Sequence, residues 1–319
     1  MDTTPARNVP RLPLVIYHAD CTDGFAAAWA ASCAFPADRY VELCPAVYRQ
    51  PPPDVTGREV YIVDFSYDRE TLLAMHARAA YLRVLDHHRS AATALEGLPF
   101  CTFDMNRSGA GLAWDELAAP HVGPHERRPP LIDYVEDRDL WRWKLPDSRE
   151  INAYLGSLPH TLADFDEAAS DLRTDVGRAK IALQGEAVLL AQARYIDRTI
   201  ACARWRRLEV PEGTQGAQPA QGLAFGARDV LAVEVPVVNA GPWCVSEVLE
   251  RLKNEHPDAP FVAAWYERPD GCLYYSLRSN AEGADVSKVA AQYGGGGHRN
   301  AAGFDAPRGR VDVAVERRS

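Results

Sequence analysis

No stretch of this sequence approaches the roughly 18 consecutive apolar residues that a membrane span requires. Its first residues, MDTTPARNVPRLPLVIY, carry neither an apolar signal core nor a cleavage pattern, so a cytoplasmic protein is expected. The seven cysteines (Cys21, Cys33, Cys44, Cys101, Cys202, Cys244 and Cys272) are odd in number, scattered and never spaced as CxxC. That pattern argues against a disulfide framework or a thiolate zinc site and suits reduced thiols that fill the core. Basic charge is also short. Thirty-five Lys and Arg stand against 44 Asp and Glu, a net charge of −9, with no basic excess in either half. A protein that follows a long nucleic acid by its phosphates needs the opposite balance. Internal repeats, low-complexity tracts and a convincing Ser- or Cys-centred triad are missing too. What remains is an ordinary globular composition, 47% hydrophobic and 25% charged over 319 residues, enough for two domains.

Three short apolar runs, LPLVIY (12–17), EVYIVDF (59–65) and YLRVL (81–85), read as buried strands. Helical patterns at 23–35 and 68–79 separate them, and Pro-rich loops at 44–57 and 120–130 punctuate the region. Strands that alternate with helices predict an α/β fold, with a parallel sheet and helices on both faces. A helical stretch over 161–204 follows, then a Gly/Gln/Pro-containing segment at 210–226. The pattern restarts with strands at 231–238, 261–267 and 272–279 and helices at 245–255 and 286–293. The expected organisation is an N-terminal domain (1–160), a helical connector (161–204) and a smaller C-terminal α/β domain (205–319).

The ends of the first three strands carry the chemistry. The first runs into YHADCTDG, with His18, Asp20 and Asp23; the second ends at Asp64; the third ends in Asp86-His87-His88. In a parallel sheet these carboxyl ends share one edge, where ligands bind. Crowded carboxylates repel one another unless cations intervene. Two divalent ions would relieve that repulsion and activate a water for in-line attack on phosphorus. Oxygen and imidazole ligation without thiolates suits manganese, with magnesium, iron, cobalt or zinc less suited. LIDYVEDRDLWRWKLP (131–146) offers Asp133, Asp137 and Asp139 as a further ligand, and its Trp141 and Trp143 suit either a base-stacking platform or core packing from a strand. Near the C-terminus, YGGGGHRNAAGF (293–304) places Gly295, Gly296 and Gly297 before His298 and Arg299. Such glycines can turn backbone N–H groups toward an anion, and Arg278, at the end of a strand, is a candidate phosphate clamp.

Taken in order, HADCTDG, VDFS, LDHH, EDRDLW and GGGGHRNAAGF resemble the motifs of the DHH phosphoesterase superfamily with its DHH-associated C-terminal domain. The resemblance covers nearly the whole chain, and the HxxCTDGF form looks like the nanoRNase or cyclic-nucleotide phosphodiesterase subgroup. It implies His18, Asp20 and Asp64 around one metal and Asp23, Asp64, His87 and Asp137 around the other, with Asp64 as the bridge. Asp86 would orient His87, and His88 would face the substrate phosphate. Arg278, His298 and Arg299 would hold a terminal phosphate or nucleotide, with the glycines adding N–H groups. Many relatives space the first motif His-x-Asp-x-Asp-Gly; the extra residue between Asp20 and Asp23 leaves Asp20 a ligand, an outer group or replaceable by water. The implied activity is manganese-dependent hydrolysis of short oligonucleotides or related small nucleotides, with Mg2+ or Co2+ as substitute ions. A RecJ-like single-strand DNA exonuclease and a non-catalytic nucleotide sensor are the alternatives. Long duplex nucleic acid and membranes are not expected partners, and the oligomeric state, a homodimer included, is left open.

Overall fold

The computed structural model describes residues 12–35, 40–48, 50–121, 127–211, 230–268, 270–306 and 312–314. Two compact units divide the chain at Val188 and Leu189.

The first unit is built on a parallel five-stranded sheet, β1 (Leu14–His18), β2 (Glu42–Ala46), β3 (Glu59–Val63), β4 (Tyr81–Asp86) and β5 (Cys101–Phe103), in the order β2-β1-β3-β4-β5. Alternate residues of each strand supply opposite faces. Leu14, Ile16, Val60, Ile62, Leu82 and Val84 pack with α2 (Arg69–Arg78) and α3 (Arg89–Ala94). Val15, Tyr17, Val63 and Leu85 pack with α1 (Thr22–Ser32), α4 (Gly109–Ala113) and α5 (Pro130–Asp139). α4 continues as a π-helical turn over Trp114–Ala118, and α6 (Ser148–Leu155), α7 (Leu162–Leu172) and α8 (Asp175–Ile200) complete the helices of this part of the chain. After β1 the chain first adds β2 on one side, then crosses to β3 on the other. The crevice between the carboxyl ends of β1 and β3 is therefore the topological switch point, where open α/β sheets take their ligands.

In the first unit two strands fall where no strand is expected. β2 contains Pro45, which reads as a loop, yet an edge position tolerates a missing ladder donor. β5 is only three residues long. The expected connector is two helices: Thr161 caps α7 by accepting from the Asp164 amide, and the Thr174 hydroxyl accepts the Gly177 amide at 3.0 Å to start α8. The division between the units falls inside α8.

The second unit is a mixed seven-stranded sheet of β6 (Arg204–Pro211), β7 (Val230–Asn239), β8 (Val262–Glu267), β9 (Leu273–Arg278), β10 (Gly296–His298), β11 (Ala301–Ala306) and β12 (Asp312–Ala314). Its order is β10-β11-β9-β8-β7-β6-β12. α9 (Val245–Glu255) makes the crossover between the parallel strands β7 and β8, and α10 (Val286–Gln292) precedes β10. Leu273, Tyr275 and Leu277 pack on the face that holds Val286, Val289 and Ala290 of α10. Val238, Val262 and Ala264 pack with α9 and with Tyr195, Ile196 and Ile200 of α8. Most of the segment expected at 210–226 lies outside the described residues.

Gly185 lets α8 lie against the backbone of α6: a Cβ there would stand 1.8 Å from the Glu150 carbonyl oxygen. In an open helix Gly→Ala is stabilising by about 1 kcal/mol. Here overpacking reverses the sign, and Gly185→Ala is expected to destabilise the protein by about 1–3 kcal/mol in chemical denaturation. A more stable variant would refute the close approach.

Candidate metal centre

Four chain segments meet at the switch point. His18 closes β1, Asp23 opens α1, Asp64 follows β3, and Asp86-His87-His88 closes β4. Asp64 is buried and its backbone is left-handed, with φ of 54°. This unusual backbone lets its carboxylate face two ligand groups at once. Oδ1 lies 3.1 Å from His87 Nε2 and accepts no hydrogen bond of acceptable geometry. Oδ2 lies 3.6 Å from His18 Nδ1 and 3.7 Å from Cys21 Sγ. His87 Nε2 is also 3.7 Å from Asp23 Oδ2 and 3.6 Å from Asp139 Oδ2, itself buried without a hydrogen-bond donor.

The first turn of α4 secures the arrangement. The amides of Gly109 and Ala110 donate to the two oxygens of Asp23 at 2.7 and 3.0 Å, a carboxylate at a helix N-terminus. Ser108 caps this helix by accepting from Gly111. Its own amide donates to Glu136, whose carboxylate is held by Arg128 and Arg142. Gly109 is obligatory for packing: a Cβ there would stand 2.3 Å from Asp64 Cβ. None of these α4 contacts was foreseen from the sequence. The only signal is Ser-Gly at a helix start, in SGAG.

The electrostatics are those of a site that gathers cations. Burial, then the neighbouring charges of Asp64 and Asp139, push the Asp23 carboxyl well above its ordinary value. Burial would raise Asp64 as well, but the imidazoles of His18 and His87 outweigh it and hold this carboxyl far below the usual range. Burial would lower His87, yet Asp139, Asp64 and Asp23 together raise it well above its ordinary value. Burial and the same three carboxylates push the Cys21 thiol up. Orphaned buried oxygens, three carboxylates around one imidazole and a shared Asp64 make a donor set that fits two divalent cations. His18, Cys21 and Asp64 form one compact group, and Asp23, Asp64 and His87 another.

Several expectations need correction. Asp137 does not join the cluster. Its buried carboxylate accepts from the amides of Lys144 and Leu145 and the hydroxyl of Ser148, capping the loop that follows α5. The last residue of that helix, Asp139, faces His87 instead. Asp20 is exposed with φ of 53°, and Cys21 occupies the interior position. Asp86 orients His88 rather than the His87 ring: its Oδ1 lies 2.7 Å from His88 Nδ1 and takes the His87 amide, while Ser66 donates to Oδ2. Trp141 and Trp143 lie on no strand. Both are half-buried in the loop after α5 with positive φ, their rings edge-to-face at 5.1 Å and Arg149 4.4 Å over Trp143.

In the second unit, Arg278 of β9, Ala301 of β11 and His298 of β10 form one cross-strand row. Paired residues project to the same face, so the two cationic or donor side chains flank a small alanine. Arg278 donates to the Ser246 hydroxyl at 3.1 Å, and Arg299 donates to the Gly283 carbonyl oxygen. The glycines do not form the expected anion nest. Gly294, with φ of 77°, and Gly295 donate their amides to Ala291 and Ala290, closing α10 in a Schellman turn. Gly296 and Gly297 pair with β11, and a Cβ at Gly297 would stand 2.6 Å from the Ala301 carbonyl oxygen.

Two outcomes test this arrangement. Asp139→Asn should weaken divalent-metal binding at least about tenfold with the fold intact. Asp137→Asn should keep the metal and lose about 2 kcal/mol of stability, because a buried charged acceptor disappears. The reverse pattern would restore Asp137 as the ligand. Because His87 is raised, it holds a proton near neutral pH that a metal must displace. Metal affinity should therefore rise with pH, with net proton release on binding in calorimetry across buffers of different ionisation enthalpy. A flat pH profile would exclude His87 as a ligand.

Residues 236–317 match the model of the DHHA1 domain. The uncharacterised protein R106 of Acanthamoeba polyphaga mimivirus is 26% identical over 315 residues, covering 93% of this chain and 68% of its own length. Among solved structures, the chain is similar to the pGpG-specific phosphodiesterase PggH of Vibrio cholerae, at 14% identity and a TM-score of 0.45 over 93% of this chain and 94% of that one. It is also similar to RecJ of Thermus thermophilus in complex with Mn2+, at 15% identity and a TM-score of 0.47 over 91% of this chain and 49% of that one. The DHHA1 match covers the C-terminal part of the chain, behind a parallel sheet in which β4 ends in Asp86-His87-His88.

Proposed function

We propose that this protein is a metal-dependent phosphoesterase of the DHH superfamily, a phosphodiesterase that hydrolyses short oligonucleotides or related small nucleotides, with manganese as the working ion at one or both positions. The observation that carries this reading is the Asp64 carboxylate, whose two oxygens face two different ligand groups 3.1 to 3.7 Å away. Such an oxygen pair suits a bridge between two ions. When bound, the ions would supply an activated water and neutralise charge on the phosphate.

The protein's own groups do the rest. Asp86 fixes the His88 ring through Nδ1, so the opposite edge, bearing Nε2, is presented in a set orientation. A proton on Nε2 would donate to a phosphate oxygen as charge develops there. Gly109 and Ala110 hold Asp23 at a fixed angle, which keeps the ligand set preorganised. The row of Arg278 and His298 gives the second unit a small anion-binding face, with Arg299 in the adjoining turn. A net charge of −9 argues for a substrate gripped at a few phosphates, not one followed along a track. The seven cysteines form no disulfide with one another, which suits a reducing cytoplasm.

Product analysis with manganese tests the reading. The assay offers equal concentrations of a 5′-phosphorylated RNA dinucleotide, long single-stranded DNA, adenosine 3′,5′-bisphosphate and cyclic mono- and dinucleotides. Conversion of the short substrates is expected, with KM raised about tenfold or more in Arg278→Ala and metal content unchanged. Preference for long DNA would replace this reading with a processive exonuclease.

A further inference from the structure

We infer that Cys21 supplies a thiolate to the ion held by His18 and Asp64, making that position select soft divalent cations such as zinc, iron or cobalt over manganese and magnesium. The inference rests on the two-ion reading above and changes its ligand chemistry. A chain with scattered cysteines gives no hint of such a role. The geometry does.

The backbone between β1 and α1 sorts its side chains. Asp20 takes a left-handed conformation and stays exposed. Cys21 returns to extended backbone, with φ of −126° and ψ of 129°, as the residue that precedes α1. Its side chain turns inward, where a carboxylate ligand would otherwise be expected. Sγ lies 3.7 Å from Asp64 Oδ2, and His18 Nδ1 lies 3.6 Å from the same oxygen. All three donor atoms fall within 4.8 Å of one another.

Those spacings suit a metal. Tetrahedral bonds of about 2.0 Å to nitrogen and oxygen and 2.3 Å to sulfur put ligand atoms roughly 3.3–3.5 Å apart. The two separations from Asp64 Oδ2 exceed this by no more than a few tenths of an ångström, and the third lies within 4.8 Å. At 3.7 Å the Cys21 thiol donates a weak hydrogen bond to Asp64 Oδ2, a contact that a metal between them would replace. The other oxygen of Asp64 faces an imidazole and two further carboxylates, a hard donor set. A thiolate and an imidazole on one side, against carboxylates on the other, make the two positions unequal in softness. The centre would then load two different metals in preference to a matched manganese pair.

Cobalt gives a direct readout without any assay of turnover. The full-length protein is stripped of metal, loaded with Co2+ and examined by absorption spectroscopy. Wild type should show a near-ultraviolet sulfur-to-cobalt charge-transfer band together with weaker visible ligand-field bands. Cys21→Ser should lose the first and keep the second, and Cys21→Asp should bind two ions without the sulfur band. In competition, Cys21→Ser should weaken zinc relative to manganese at least about tenfold. X-ray absorption at the zinc edge of wild type, loaded with one equivalent, should find a sulfur neighbour at about 2.3 Å and covers the case in which the serine variant fails to fold. Identical cobalt spectra for wild type and Cys21→Ser, or a zinc shell of only nitrogen and oxygen, would overturn the thiolate and leave the two-ion phosphoesterase standing. Failure of wild type to take up cobalt, zinc or manganese would overturn both.

Discussion

The carboxylate of Asp64 is the point on which the rest of the first unit converges. Its left-handed backbone turns the side chain across the crevice between β1 and β3, and Gly109 lets α4 press directly onto it. A residue in that conformation is costly unless its surroundings over-determine it. They do so here: the Leu85 carbonyl oxygen accepts the Asp64 amide at 2.9 Å, and imidazoles stand on both sides of the carboxylate. The strain at one residue and the buried negative charge on it are both tolerated because four chain segments are arranged around them.

Around that point the chain uses backbone amides as fixed supports. α4 directs two N–H groups at Asp23, Asp86 collects the amides of His87 and His88, and Asp137 collects those of Lys144 and Leu145. Asp23 does this while also facing His87. Of the others, some anchor loops and some face the shared centre. The separation is what leaves one oxygen each of Asp64 and Asp139 without a hydrogen-bond donor while nearby acids are fully satisfied.

Much of this was legible in the sequence, for physical reasons. β1, β3 and β4 are near-continuous apolar runs that stop abruptly at acids and imidazoles, and a parallel sheet brings such ends to one edge. The edge strand β2 was hidden by Pro45. The choice between Asp137 and Asp139 was hidden by geometry: both sit in the last turn of α5, and only the path of the following loop decides which one turns inward. Cys21 was hidden because a lone thiol reads as filler when its neighbours in space are unknown. The glycine run was read for its freedom to bind anions, whereas two of its members end a helix and two join a ladder.

The margins of the seven-stranded sheet carry a separate consequence. The outermost strand β10 is three residues long, against ten in β7 near the middle. An open sheet with long, flat borders invites another chain to add itself as the next strand. A border as brief as β10 offers too few ladder bonds for such recruitment. On that side the unit can therefore keep an open sheet next to the row of Arg278 and His298 without becoming a template for strand-by-strand aggregation.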